Sequence, residues 1–201
     1  MGEQTKSLSL SKWMLIHTLG WVIGVTGAIL LAEPLEIIKL PFVGFGISLG
    51  GGMALAQWML WRRYAAIDFR WVWMGMAGLG SAFLFLDLCI LVARALGSQY
   101  QLDGIPAAVA IGLAAVVGSL VTGGLQDRML KKVYPVAMGW TLNTVLGWTI
   151  TAVLVAVYVT ITVQWHVQRS PASGLASVVA IMSGGPIIGY FTGKKMIGLI
   201  K

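Results

Sequence analysis

Charge is what this sequence has little of. Only 10% of its 201 residues are Asp, Glu, Lys or Arg, and acids are half as many as bases, 7 against 14. A chain that is 58% hydrophobic, with a mean hydropathy of +0.85, cannot cover its apolar surface with so few polar groups. That excludes a soluble globule and makes a bilayer the expected solvent. One cysteine, Cys89, excludes an internal disulfide and a cysteine-based metal cluster, and its place in an apolar run says nothing of redox compartment. No pair of intramembrane carboxylates, HExxH, phosphate-cradling loop or Gly-x-Ser-x-Gly elbow occurs. The loops, roughly five to fifteen residues each, leave no room for a separate soluble domain. Neither an enzyme nor a resident cofactor is expected.

What is there is a series of apolar stretches. A spanning helix needs roughly 20 mostly apolar residues, and six stretches qualify: Trp13 to Ala32, Pro41 to Trp61, Trp71 to Ala93, Ile105 to Gln126, Met138 to Val163 and Ser173 to Gly193. The first is too long for a secretory signal and is read as a helix that stays. The net charge of +7 does not point to nucleic acid, because the bases sit in short clusters between apolar stretches rather than along one face. Those clusters set orientation instead. With the amino terminus inside, Lys6, Lys12, Arg62, Arg63, Arg70, Arg128, Lys131, Lys132, Lys194, Lys195 and Lys201 are cytoplasmic, against Lys39, Arg94 and Arg169 outside. Eleven against three follows the positive-inside rule, and both termini are expected in the cytoplasm. Trp13, Trp58, Trp61, Trp71, Trp140 and Trp165 fall near the span ends, where headgroup anchoring is expected.

Internal repetition is the most informative pattern. Pro41, Pro106 and Pro171 each open an even-numbered helix at intervals of 65 residues, a position where a missing amide hydrogen is tolerated. Each even helix ends in a basic pair, Arg62-Arg63, Lys131-Lys132 or Lys194-Lys195. The odd helices open alike: Trp13 precedes Gly20-Trp21 by seven residues, Trp71 precedes Gly78-Leu79, and Trp140 precedes Gly147-Trp148. Gln57 and Gln126 stand five residues before their basic pairs, whereas Gly189 holds that place in the third repeat. The expected fold is all-α: one transmembrane domain over residues 1–201, a polytopic bundle of six helices built from three hairpins near residues 12–69, 70–137 and 138–201, with pseudo-threefold symmetry. Small residues gather on the even helices: Gly46, Gly50, Gly51 and Gly52; then Ala115, Ser119 and Gly123; then Gly185, Gly189 and Gly193. In lipid such faces let backbones approach, so the even helices are expected to form an inner ring and the odd ones to face lipid.

The segment from Gly52 through Gln57-Trp58 to Arg62-Arg63, followed by Arg70-Trp71, resembles the glycine-rich GxxxAQWxxLRR repeats of uncharacterised bacterial multipass proteins, notably cyanobacterial ones. The likeness is good in the first hairpin, partial in the second and faint in the third. It implies a bacterial plasma membrane or a thylakoid membrane and carries no activity with it. Mitochondrial carriers share a three-hairpin layout, but their proline-acid-basic signature is absent and that reading is rejected.

Candidate chemistry is sparse. Asp87 lies in the apolar run 83–91, about 9 Å inside the outer end of the third span. An acid at that depth marks a proton or cation site, or else a structural residue linked to Arg94. His17, one turn inside the first span, could ligate a metal or a pigment through a ring nitrogen, or hydrogen-bond a neighbouring helix. His166 reads as a solvated interfacial residue. Gln57, Gln126 and Asn143 can glue helices together or line a solute path. Gly184-Gly185-Pro186 should interrupt the sixth helix.

The leading expectation is a non-enzymatic accessory, assembly or scaffold subunit, packing through glycine-rich faces with itself as a homo-oligomer or within a larger membrane complex. A channel or transporter lined by Asp87, Gln57, Gln126 and Asn143 is the second reading, and pigment or haem binding at His17 the third. The threading is directly testable: reporter fusions after Lys132 and Lys201 should be cytoplasmic, and fusions near Glu36, Gln101 and Gln168 external. The opposite pattern would overturn the loop assignment.

Overall fold

The structure is a computed structural model and describes residues 8–64, 66–97, 104–134, 139–164 and 182–200. These fold into helices joined by turns, with no strand among the described residues. The helices are α1 (Leu10–Ile37), α2 (Pro41–Trp61), α3 (Arg70–Ala95), α4 (Gly104–Val133), α5 (Trp140–Gln164) and α6 (Gly184–Ile200). Five of them contain a stretch long and apolar enough to cross a membrane: Leu10–Leu31, Pro41–Trp61, Arg70–Ala95, Ile105–Val133 and Trp140–Ile161. α6 overlaps the end of the sixth expected span, of which residues 173–181 lie outside the described residues, as do Pro171, Trp165 and His166.

The helix ends follow from local chemistry. Pro41 opens α2, where its absent N–H would have had no partner, and Pro106 stands in the first turn of α4. α1 runs on past the expected stop at Ala32 and contains Pro34. The hydrogen bond that Pro34 cannot donate falls within the last two turns, where its loss does not break the rest of the helix. The turn into α2 is tight. Lys39 adopts a left-handed φ of 63°, its N–H donates to the Glu36 carbonyl, and the Leu40 N–H reaches back to Leu35. That pair of bonds is a Schellman-type helix stop, with lysine where glycine is usual. Ser183 is a turn residue and α6 begins directly after it, with Gly184, Gly185 and Pro186 in its first turn; the part of the sixth expected helix that these residues should interrupt lies outside the described residues.

Each helix packs on its neighbours in sequence, and α6 returns against both α5 and α1. The described helices thus close into a ring. The expected division into inner even and outer odd helices does not hold. α2 does sit inside, exposing Met59 alone among its large apolar side chains, but α4 presents Val109, Leu113, Val117 and Leu120 outward, as α1 and α5 do with theirs. The difference is the distribution of small residues. α2 carries glycine on two faces: a methyl on Gly52 would fall 2.6 Å from the Gly20 carbonyl of α1, and one on Gly50 would strike the Gly75 carbonyl of α3. α4 has valines and leucines opposite its small face and is packed from one side only.

The closest approach supplies a test. Gly50→Val should lower the unfolding free energy in detergent by about 1–3 kcal/mol, because the added atoms meet backbone that cannot yield. Gly124→Ala, with nothing within 4 Å of the new methyl, should raise it by up to about 1 kcal/mol through helix propensity. Equal effects of the two would refute this packing.

Candidate functional site

Four tryptophans close one end of the bundle. Trp13 and Trp71 have no exposed surface, and Trp61 and Trp140 expose 1%. Their rings form a closed circuit: Trp13 to Trp61 at 5.9 Å, Trp61 to Trp71 at 6.3 Å, Trp71 to Trp140 at 5.4 Å and Trp140 to Trp13 at 6.4 Å between centroids. The headgroup role expected of these four is therefore corrected. Their helices start or end at the same level of the bundle, so the rings point across its centre, and three of the four indole N–H groups find acceptors there.

Those acceptors are the polar residues of the even helices. Trp71 Nε1 donates to Gln57 Oε1 at 2.9 Å and Trp140 Nε1 to Gln126 Oε1 at 3.2 Å, each across 14 residues of chain. Trp13 Nε1 donates to Thr192 Oγ1 at 3.0 Å. The third repeat lacks the glutamine, and a threonine one turn beyond Gly189 takes the indole instead. Sequence reading found the glutamines but missed their partners, although the repeated 14-residue interval was visible.

His17 joins two of these pairs. Its Nδ1 lies 3.0 Å from the Trp13 carbonyl, which can only accept, so Nδ1 carries the hydrogen. Nε2 is then an acceptor and receives the Gln57 amide at 2.8 Å, with Thr192 Oγ1 3.3 Å away. The Thr192 hydroxyl donates to Ile188 O at 2.8 Å. One directed chain results, from Trp71 through Gln57 and His17 to the Trp13 carbonyl. Both ring nitrogens are engaged and the side chain is fully buried, so no lone pair is left for the iron of a haem or the magnesium of a pigment. Of the two readings of His17, a ligand or a hydrogen-bonding partner of a neighbouring helix, its bond with Gln57 of α2 and its approach to Thr192 of α6 match the second. No group of three potential metal ligands occurs among the described residues.

Asp87 is buried but stands apart from this centre. Its two carboxylate oxygens accept the backbone N–H groups of Phe42 at 3.2 Å and Val43 at 2.7 Å. It caps α2 from the neighbouring helix α3, at a terminus whose own cap residue, Leu40, supplies no side-chain acceptor. The anticipated tie to Arg94 is absent, since no ion pair joins them among the described residues. Asn143, expected to glue helices together or line a path, is half-buried and donates to the carbonyl of Gly139, the turn residue just before α5, at 2.7 Å. Thr144 lies inside in its place.

Gln57 and Gln126, with Thr122 and Thr144, border a central cavity of about 20 Å³ against Gly50, Trp148 and Ile188. That is room for roughly one water molecule, and the buried Thr122 hydroxyl has no protein partner. The packing residues lie at helix contacts around it. Gly46 meets the Leu79 backbone and Phe83, Gly123 meets Thr141 and Thr144, and Gly185, Gly189 and Gly193 meet Thr18, His17 and Trp13. Ser119, fully buried, returns its hydroxyl to the Val116 carbonyl. Asp127, which the span boundary had left outside, pairs with Lys131 one turn on.

The cap and the proton-site readings of Asp87 separate by substitution. Asp87→Asn keeps an acceptor and should retain most of the stability, whereas Asp87→Ala should lose about 0.5–2 kcal/mol, as for other helix caps. Equal losses measured by thermal unfolding in detergent would refute the cap. No family model, curated protein or solved structure matches the chain.

Proposed function

We propose that this protein is a six-span membrane protein of three pseudo-threefold hairpins, both termini cytoplasmic, that acts without catalysis as a scaffold or accessory subunit. Its setting is a bacterial plasma membrane or a thylakoid membrane. The observation that carries the reading is the closed tryptophan circuit across the bundle centre. A conduit needs a continuous polar path. Here Gln57 and Gln126 are bonded to indoles, only the Thr122 hydroxyl beside the central cavity lacks a protein partner among the described residues, and that cavity has room for about one water. With its interior spent on its own cohesion, the protein has its outer surface left for function. That surface is apolar on α1, α3, α4 and α5, the character of a face that meets lipid or other membrane helices. The equivalence of the Trp71–Gln57 and Trp140–Gln126 bonds, with Trp13–Thr192 in the third position, supports the threefold layout.

Liposomes containing the purified protein should pass water, protons and small solutes no faster than protein-free liposomes. Mild-detergent purification after brief cross-linking should bring down defined membrane subunits or copies of the chain. A solute flux that Gln126→Leu reduces would overturn the scaffold reading in favour of a channel.

A further inference from the structure

We infer that the groove between α3 and α4 is a binding site for one acyl chain of a membrane phospholipid. The groove has a volume of about 430 Å³ and is lined by Ala82, Phe85 and Cys89 of α3 and Ala110, Ala114 and Val117 of α4, among others. It begins where the two helices touch most closely. Gly78 packs on Thr122, and Gly118 on Leu79; beyond that point alanines face each other and are too small to fill the space between the helices. Ser81, the polar group at its inner end, turns its hydroxyl to the Gly78 carbonyl at 3.0 Å. What remains is hydrocarbon in character.

Its dimensions select the occupant. The α4 lining runs from Ala110 to Val121, roughly 16 Å at 1.5 Å per residue. That matches one leaflet of hydrocarbon, about half of ~30 Å, and the groove lies along the helices, the direction in which lipid chains run. Spread over that length, 430 Å³ leaves a mean cross-section of roughly 27 Å². A helix from a second copy, ~10 Å across, needs about three times as much and would rest on the rim, leaving the floor between the alanines empty. A single extended chain fills it. It would gain close contact on three sides, where a bulk lipid neighbour gains it on one. No charged residue lines the groove, so the site recognises the chain and not the headgroup.

The test uses native mass spectrometry of the full-length protein, purified in mild detergent and mixed with phosphatidylcholine or phosphatidylglycerol carrying 16-carbon chains. Wild type should retain one molecule of either lipid. Val117→Trp, at an exposed position on the groove wall, should cut retention at least fivefold, while Leu154→Trp on the exposed face of α5 should not. Cys89, the single thiol, gives an independent reading: phosphatidylcholine should slow its alkylation by N-ethylmaleimide severalfold in wild type and leave Val117→Trp unaffected. Equal retention by wild type and Val117→Trp would overturn the site. So would no retention, a dimer in its place, or an isoprenoid lipid carried from the cell that phospholipid does not displace.

Discussion

The structure depends on one constraint: polar groups inside an apolar bundle must be satisfied by one another, because no solvent there will do it. An unpaired buried donor or acceptor costs about 1–3 kcal/mol, a large part of the stability of a protein this size. The chain from Trp71 through Gln57 and His17 to the Trp13 carbonyl meets the constraint with every donor aimed at an acceptor. Its direction is not arbitrary. If the Gln57 amide were reversed, nitrogen would face the indole N–H of Trp71, two donors with nothing between them. One orientation of the amide and one tautomer of the imidazole follow together. The satisfaction is incomplete elsewhere, since the indole nitrogens of Trp21 and Trp61 are buried without a partner.

Shape complementarity carries the rest. On α1 the large residues Trp13, His17 and Trp21 recur every fourth position, and on α6 the small residues Gly185, Gly189 and Gly193 do the same. Ridge meets furrow along the whole contact: a methyl on Gly193 would strike the Trp13 ring, and one on Gly189 would come 2.9 Å from the His17 side chain. In a hydrocarbon solvent this fit replaces the drive that water supplies to soluble cores. It also fixes the height of the hydrogen-bonded chain, because His17 can reach Gln57 only when α6 leaves room for its ring.

How much of this was legible beforehand depends on the kind of information each feature uses. Pro41 at a helix start is local and could be read directly. The five apolar spans are equally local. The glutamines were legible as recurrences, but their function was not, because a hydrogen bond needs both partners and the tryptophans had a competing explanation at the membrane surface. Position near a span end does not distinguish a ring turned outward from one turned across the bundle. Asp87 was visible as an anomaly of depth, yet its task of capping α2 depends on which helix terminus lies beside it, and that is tertiary information. The outward valines of α4 were overlooked for a related reason: the stripe of Ala115, Ser119 and Gly123 was counted, and what covered the opposite side was not.

The bond from Trp13 to Thr192 spans 179 residues and so ties α1 to α6, the first and last of the described helices. During synthesis α1 is made long before α6, with the Trp13 indole still lacking its acceptor and His17 Nε2 still lacking its donor. α2 and its Gln57 arrive early and can hold one side of His17, but the ring of helices stays open until α6 leaves the ribosome. A chain cut short before residue 192 would leave the Trp13 indole without its acceptor and the ring of helices open between α1 and α5.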